Sequence, residues 1–345
     1  MADFWKPIEP LAEHQPAVES VLRDHVEQAS VSGLPLYRMM QYQLEWVDRD
    51  GLDVPREPAQ RTLGTLCVEA GSVLRIGDSF DAEAAGAAIE LFRESVIVHE
   101  QMQTGESGSD EFPAVWWVWG PAQAINVGDG LHALARLALL QLKKKGHSPE
   151  STLAAMRIFD DLALKYYEGQ YIDLTYQERV DITLAQYSTM VRSKQGALLG
   201  GALALGAQVA GGDEEMVGAL WDLGASVGEA AQVRADVATL WERSAKPEGR
   251  VLNKSKLHPV VSVLESGTLA QKRQIGGIYF KRVMESADVE HLAEVLAAAG
   301  AREQSEDRIA ELTADVYRRV KLITVRPELI ARWGVIVEGL INGQR

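Results

Sequence analysis

Residues 169–212 read GQYIDLTYQERVDITLAQYSTMVRSKQGALLGGALALGAQVAGG. The spacing predicts a short loop at the start, then a long helix pair, with Tyr187, Met190, Val191 and Lys194 at helical intervals. From Gly196 onward the segment is almost wholly small and apolar. A helix with no polar face belongs in the middle of a protein rather than at its surface. Its Gly and Ala let neighbouring helices approach closely. The run is too short and too rich in these residues for a membrane span.

Outward from this segment the same helical period recurs over 11–29, 34–47, 61–75, 81–103, 121–145, 149–167 and 214–241. It returns over 257–266, 269–285, 289–299, 305–322 and 327–341. Asp81 is read as an N-cap, Ser148 as a cap before Pro149, and Gly300 as a C-cap. There is no long alternating strand pattern, Gly-rich phosphate loop, serine triad, metal-binding cysteine set or solenoid repeat. Residues 1–10 read as a tail or a strap anchored by Phe4 and Trp5, and 11–345 as the helical domain.

The 345 residues, 46% of them hydrophobic, suffice for a large core. A formal net charge of −14 argues against a nucleic-acid binder, whose affinity rests on Lys and Arg facing phosphates. The single cysteine, Cys67, excludes an intramolecular disulfide and suits a cytoplasmic setting. It lies in an apolar stretch and is read as an inert buried thiol. The opening MADFWKPIEP lacks the pattern of a signal peptide.

Gln170 and Asp173 in a GQ..DL pattern, Tyr187, Met190, the Lys194–Leu198 run and the Gly/Ala segment that follows closely resemble the trans-isoprenyl diphosphate synthases, the polyprenyl synthetase family. Gly128-Asp129, Gly228, Gln232 and Arg234 extend the resemblance. So do Lys246, Pro247, Gly249, Lys256 and Pro259, if one residue is deleted before Pro259. The resemblance implies an all-α, single-domain isoprenoid synthase helical bundle around a central cavity. It implies a dimer built on a helical interface, and diphosphate chemistry driven by magnesium ions held between two DDxxD motifs. Lys194 stands where the family uses a lysine on the allylic diphosphate, and Lys246 and Lys256 match its later lysines. Gln170 and Asp173 are read as loop architecture.

The residues implied to carry that chemistry are mostly replaced. Where the first DDxxD is expected the chain has Glu100, Gln101, Met102, Gln103 and Thr104; where the second is expected it has Ala235, Asp236, Val237, Ala238 and Thr239. One acid survives in each place. Magnesium asks for charged oxygen ligands, so Glu100 and Asp236 are weak metal candidates and no metal cofactor is expected unless some diphosphate binding persists. Asp236→Asn is expected to change little. His99 beside Glu100 resembles the start of a zinc HExxH, but no second histidine follows. Glu57 takes the place of the isopentenyl-diphosphate lysine, and Ser109, Asp110 and Glu111 the place of Arg-Arg-Gly. Of the motif around Glu57 only Arg61 is left to serve the diphosphate, and an exposed arginine at a helix start is the preferred reading. The loop aspartate has become Val251. Trp116, Trp117 and Trp119 are either aromatic lining for a prenyl cavity or packing and partner surface, the second being preferred.

Three functions are carried forward. The preferred one is a non-catalytic or regulatory subunit of isoprenoid metabolism, forming a homodimer or pairing with an intact prenyl synthase. The second is a non-canonical terpene synthase or prenyltransferase using Lys194, Lys246, Lys256, Gln232 and the tryptophans, with His99, Glu100 or Asp236 as catalytic candidates. The third is a binding protein for a prenyl or terpenoid ligand.

Overall fold

In the computed structural model, residues 6–55, 57–72, 74, 82–242 and 249–343 are described. Helix Ala197–Val209 is the axis, and every residue from Ala197 to Ala207 is buried. Helices Thr62–Ser72, Glu83–Thr104, Pro149–Tyr176 and Glu214–Trp241 pack around it. Among the described residues the only β pairing is two isolated bridges, Val47 to Asp53 and Gly108 to Pro113.

The axis admits these neighbours because it lacks side-chain bulk at the crossings. A Cβ placed on Gly206 would overlap the carbonyl oxygen of Cys67. One on Gly224 would stand 2.5 Å from the Gly200 nitrogen. The buried Cys67 thiol is pushed up in pKa by burial, then by the charges of Glu83 and Glu90.

The rod that carries the axis begins at Leu184–Val191, widens into a π turn at Arg192–Gly196 and continues as Ala197–Val209. Lys194 sits on the widened turn. Thr183 starts the rod with a capping box, accepting from the Gln186 N–H while the Gln186 side chain takes the Thr183 N–H.

The expected break near 167 and the loop from 169 are absent. Helix Pro149–Tyr176 runs through the GQ..DL pattern, so Gln170 and Asp173 are helical. Gly169 does not stop the helix; it lets the π turn approach, since a Cβ there would lie 2.8 Å from the Ser193 Cβ. Arg61 also departs from expectation. It is 1% exposed, pairs with Glu19 at 2.8 Å and donates to the Leu44 carbonyl at 2.9 Å. The helix expected over 34–47 ends at Gln43, and Glu45 follows with φ 62°. The helix expected over 269–285 ends at Tyr279.

Ser148 accepts from the Ser151 N–H ahead of Pro149, and Gly300 is left-handed after helix Ser286–Ala298, as expected. Asp81, Phe4 and Trp5 lie outside the described residues. The N-terminal segment is tied down: Lys6 N–H donates to the Gly343 carbonyl at 2.8 Å, and Ile8 packs on Gly339 of helix Pro327–Asn342. Beside the main core lies a second, smaller one, centred on Leu257, Val260, Ile275, Leu292 and Leu296.

Gly206→Val should cost about 3 kcal/mol or more in urea denaturation, because backbone stands where the new atoms must go. Gly218→Ala, on an exposed helical position with open space around it, should gain about 0.5–1 kcal/mol in the same experiment.

Candidate functional site

A cavity of about 70 Å³ opens beside the axis. That is room for roughly half a dozen waters. Leu63, Val96, Ile97, Met190, Val191 and Leu198 supply its apolar wall. Its polar wall comes from Glu100, Tyr166, Asp173, Lys194, Gln232 and Arg250, with Arg93 nearby. They come from several packing elements, Tyr166 and Asp173 sharing helix Pro149–Tyr176, so the crossings at the glycines set the geometry of the polar groups.

Lys194 is the hub. Its Nζ donates to Asp173 Oδ2 at 2.7 Å and to Glu100 Oε1 at 3.0 Å. Tyr166 OH donates to the other oxygen of Glu100 at 3.2 Å. Burial works against the charge on Lys194, but the two carboxylates more than offset it and hold the ammonium above its usual pKa. Burial likewise works against the Asp173 carboxylate, and Lys194 with Arg250 pulls it below the usual carboxylate range. Asp173 Oδ1 is buried with no hydrogen-bond partner.

Asp236 is enclosed on all sides. Tyr187 OH donates to Oδ2 at 2.5 Å and the His258 backbone N–H to the same atom at 2.8 Å. Gln232 Nε2 donates to Oδ1 at 2.7 Å and the Arg250 guanidinium to the same atom at 3.3 Å. A carboxylate offers about four lone-pair directions, and four donors take them. Burial, then the Asp236 charge, pushes the Tyr187 hydroxyl well above its usual pKa. Burial pushes the His258 imidazole down to about 4, keeping it neutral at pH 7.

Of the residues singled out in the sequence, the structure places Glu100, Lys194 and Gln232 on this cavity, with Asp236 bonded to Gln232 behind the wall. Trp116, Trp117 and Trp119 stand away from it. Trp116 donates to the Glu106 carbonyl at 2.8 Å, Trp119 packs edge-on to Tyr42, and Trp117 is exposed. His99 is half-buried, with Nε2 3.6 Å from an oxygen of Asp129. Lys256 is fully buried, donating to the carbonyls of Gln177 and Lys254, with Nζ 4.3 Å from the Tyr279 ring centre. Burial lowers its pKa to about 7. It does not line the cavity. Lys246 lies outside the described residues. Sequence reasoning missed Arg250 and undervalued Asp173. Asp173 was signalled by its match to the GQ..DL pattern; Arg250 adjoins the lost loop aspartate and carried no signal of its own.

These residues do not fit a magnesium cluster. Among the described residues the one group of three potential ligands whose atoms lie within 4.8 Å of one another is Glu13, His14 and Glu69. There Arg332 already spans both oxygens of Glu69, at 2.7 and 2.8 Å. At the cavity, the oxygens of Glu100 and Asp236 are committed to protein donors. Neither acid has a second carboxylate one helical turn away to share an ion.

The family model described as Polyprenyl synthetase matches residues 53–296. The chain belongs to the polyprenyl synthetase family. It is 29% identical over 305 residues to the geranylgeranyl diphosphate synthase of Mycobacterium tuberculosis, covering 86% of this chain and 85% of that one. It is 32% identical over 203 residues to the short chain isoprenyl diphosphate synthase of Methanothermobacter thermautotrophicus, covering 58% and 61%. The polyprenyl synthetase structure from Streptomyces coelicolor A3(2) superposes with a TM-score of 0.84 at 23% identity, over 97% of this chain and all of that one. The polyprenyl synthetase fold is thus present around a centre in which side-chain cations face the remaining acids.

Two substitutions probe that centre. Lys194→Met should lose about 3–5 kcal/mol at pH 7, because two buried carboxylates lose their counter-charge. The Asp173 contribution is complete above its ordinary pKa of 3.8 and disappears as pH falls through its lowered folded value. The Lys194 contribution is complete below its ordinary 10.5 and disappears as pH rises through its raised folded value. The gap between wild type and Lys194→Met, measured by denaturation across pH, should therefore shrink below about pH 4. Asp236→Asn, expected from the sequence to change little, turns one acceptor oxygen into a donor facing donors and should cost about 2–3 kcal/mol in the same assay.

Proposed function

We propose that this member of the polyprenyl synthetase family does not carry out magnesium-dependent prenyl elongation by itself, and that it serves isoprenoid metabolism as a non-catalytic subunit of an intact prenyl synthase. The observation that carries this reading is the enclosure of Asp236 by Tyr187, His258, Gln232 and Arg250. Lys194 plays the same part toward Asp173 and Glu100. Ionising an allylic diphosphate requires fixed cations to meet the leaving charge. Here, among the described residues, Lys194 and Arg250 are paired with acids of the chain itself. The cavity's small volume also fits a centre closed by side chains.

A subunit role is supported by surface as well. On helix Pro149–Tyr176, Leu153, Leu164 and Tyr171 are exposed on one stripe, and on helix Pro121–Lys144, Ile125, Leu137 and Leu140 are exposed. Paired apolar stripes on neighbouring helices are the surface that a helical partner covers. The relatives are named as synthases, so an active enzyme is the competing reading.

Incubating the purified protein with isopentenyl diphosphate and allylic diphosphates of several lengths, with and without magnesium, should give at least about a hundred-fold less product than a relative with intact aspartate motifs. Robust elongation by the chain alone overturns the proposal. Mixed with an intact synthase, it should co-elute by size exclusion, and Leu164→Glu with Tyr171→Glu should abolish that complex.

A further inference from the structure

Between Glu265 and Glu285 the chain carries four cations, Lys272, Arg273, Lys281 and Arg282, and no acid. In a chain of formal net charge −14 this is a local reversal of sign. The structure turns it into a surface. Helix Leu269–Tyr279 gives one face to the smaller core through Ile275, Ile278 and Tyr279. Its opposite stripe, at intervals of three and four residues, is Leu269, Arg273, Gly277 and Phe280, all exposed. Phe280 is 74% exposed, Val283 68% and Leu269 65%.

The charges on this face are available. Arg273 and Arg282 make no hydrogen bond or ion pair with the described residues. Lys272 donates to the Glu265 carbonyl at 3.0 Å, which leaves its charge unneutralised. Lys281 is paired with Asp288, and Lys254 brings a further ammonium to the Lys281 carbonyl. Of the flanking acids, Glu265 accepts the Leu184 N–H at 2.7 Å and Glu285 is engaged in the cap of helix Ser286–Ala298. Single exposed apolar side chains are ordinary. Three of them projecting among free guanidinium groups on an acidic protein form a composite surface. Its apolar and cationic parts are satisfied together by a target that is anionic at its surface and apolar just beneath. That describes a bilayer containing acidic lipids.

We propose that this face docks reversibly on an anionic membrane surface. Leu269, Phe280 and Val283 enter the headgroup layer, and Lys272, Arg273 and Arg282 meet lipid phosphates. This inference is independent of whether the chain elongates prenyl groups. No described helix is long and apolar enough to cross a membrane, so the contact is peripheral. Behind the face, the same helix touches the segment that lines the cavity. Tyr279 OH donates to the Ser255 carbonyl at 3.3 Å, within the segment that begins with Gly249 and brings Arg250 to the cavity.

The test is flotation of the full chain with phosphatidylcholine vesicles, with and without phosphatidylglycerol. Binding should require phosphatidylglycerol and weaken with added salt. Arg273→Glu with Arg282→Glu should lower the vesicle partition constant by about twenty-five-fold or more, at roughly five-fold per lost cation. Phe280→Ser should also release the protein. These positions are exposed, and circular dichroism and melting should match wild type. No binding to phosphatidylglycerol vesicles, equal binding to both vesicle types, or binding untouched by either variant overturns the proposal. Concentration-dependent self-association that the same variants abolish, without vesicle binding, assigns the face to a protein partner and overturns it equally.

Discussion

A single ammonium held between two carboxylates sets the terms for the centre of this protein. Lys194 sits on a π turn and reaches Asp173 on one helix and Glu100 on another. Burial works against its charge, and the acids more than offset that. Each of the three groups is tolerable in the interior only because the others are there. The approach of helix Pro149–Tyr176 to the turn depends on Gly169, and the approach of helix Glu214–Trp241 to the axis on Gly200 and Gly224. Backbone contact and charge pairing are therefore parts of one arrangement: the glycines bring the elements close enough for the ions to meet.

A second balanced cluster lies behind the first. Arg250, Tyr187, Gln232 and the His258 N–H converge on Asp236. In a polyprenyl synthetase fold, acids gathered at this place with nothing to neutralise them would call for metal ions. Here guanidinium and ammonium groups of the chain occupy the field around them. Asp236 and Glu100 are thereby held as charges paired within the protein.

The helical architecture was legible because its signals are local and repeated. Periodicity marked nearly every helix, and the Gly/Ala run marked the axis. The misreadings came where a residue has two uses. Gly169 was read as opening a loop and is a contact within a helix; Arg61 looked like a surface cation and is a buried one paired with Glu19. The candidate site was half legible. Lys194, Glu100 and Gln232 stood in motif positions and do line the cavity. Arg250 stood in a loop whose pattern had decayed, and its direction depends on tertiary packing. The tryptophans were conspicuous by composition, yet Trp116 and Trp119 serve the packing around Glu106 and Tyr42.

The π turn at Arg192–Gly196 has a further consequence. Such a turn accommodates one residue more than the α turn it replaces. Everything after it is rotated by about 100° relative to an unbroken α-helix. Lys194 and the glycine seam of Ala197–Val209 therefore follow two different angular settings of one continuous rod. The surplus residue is a phase shifter: it lets the turn aim a cation at the acids while the downstream half keeps its smooth side against its neighbours.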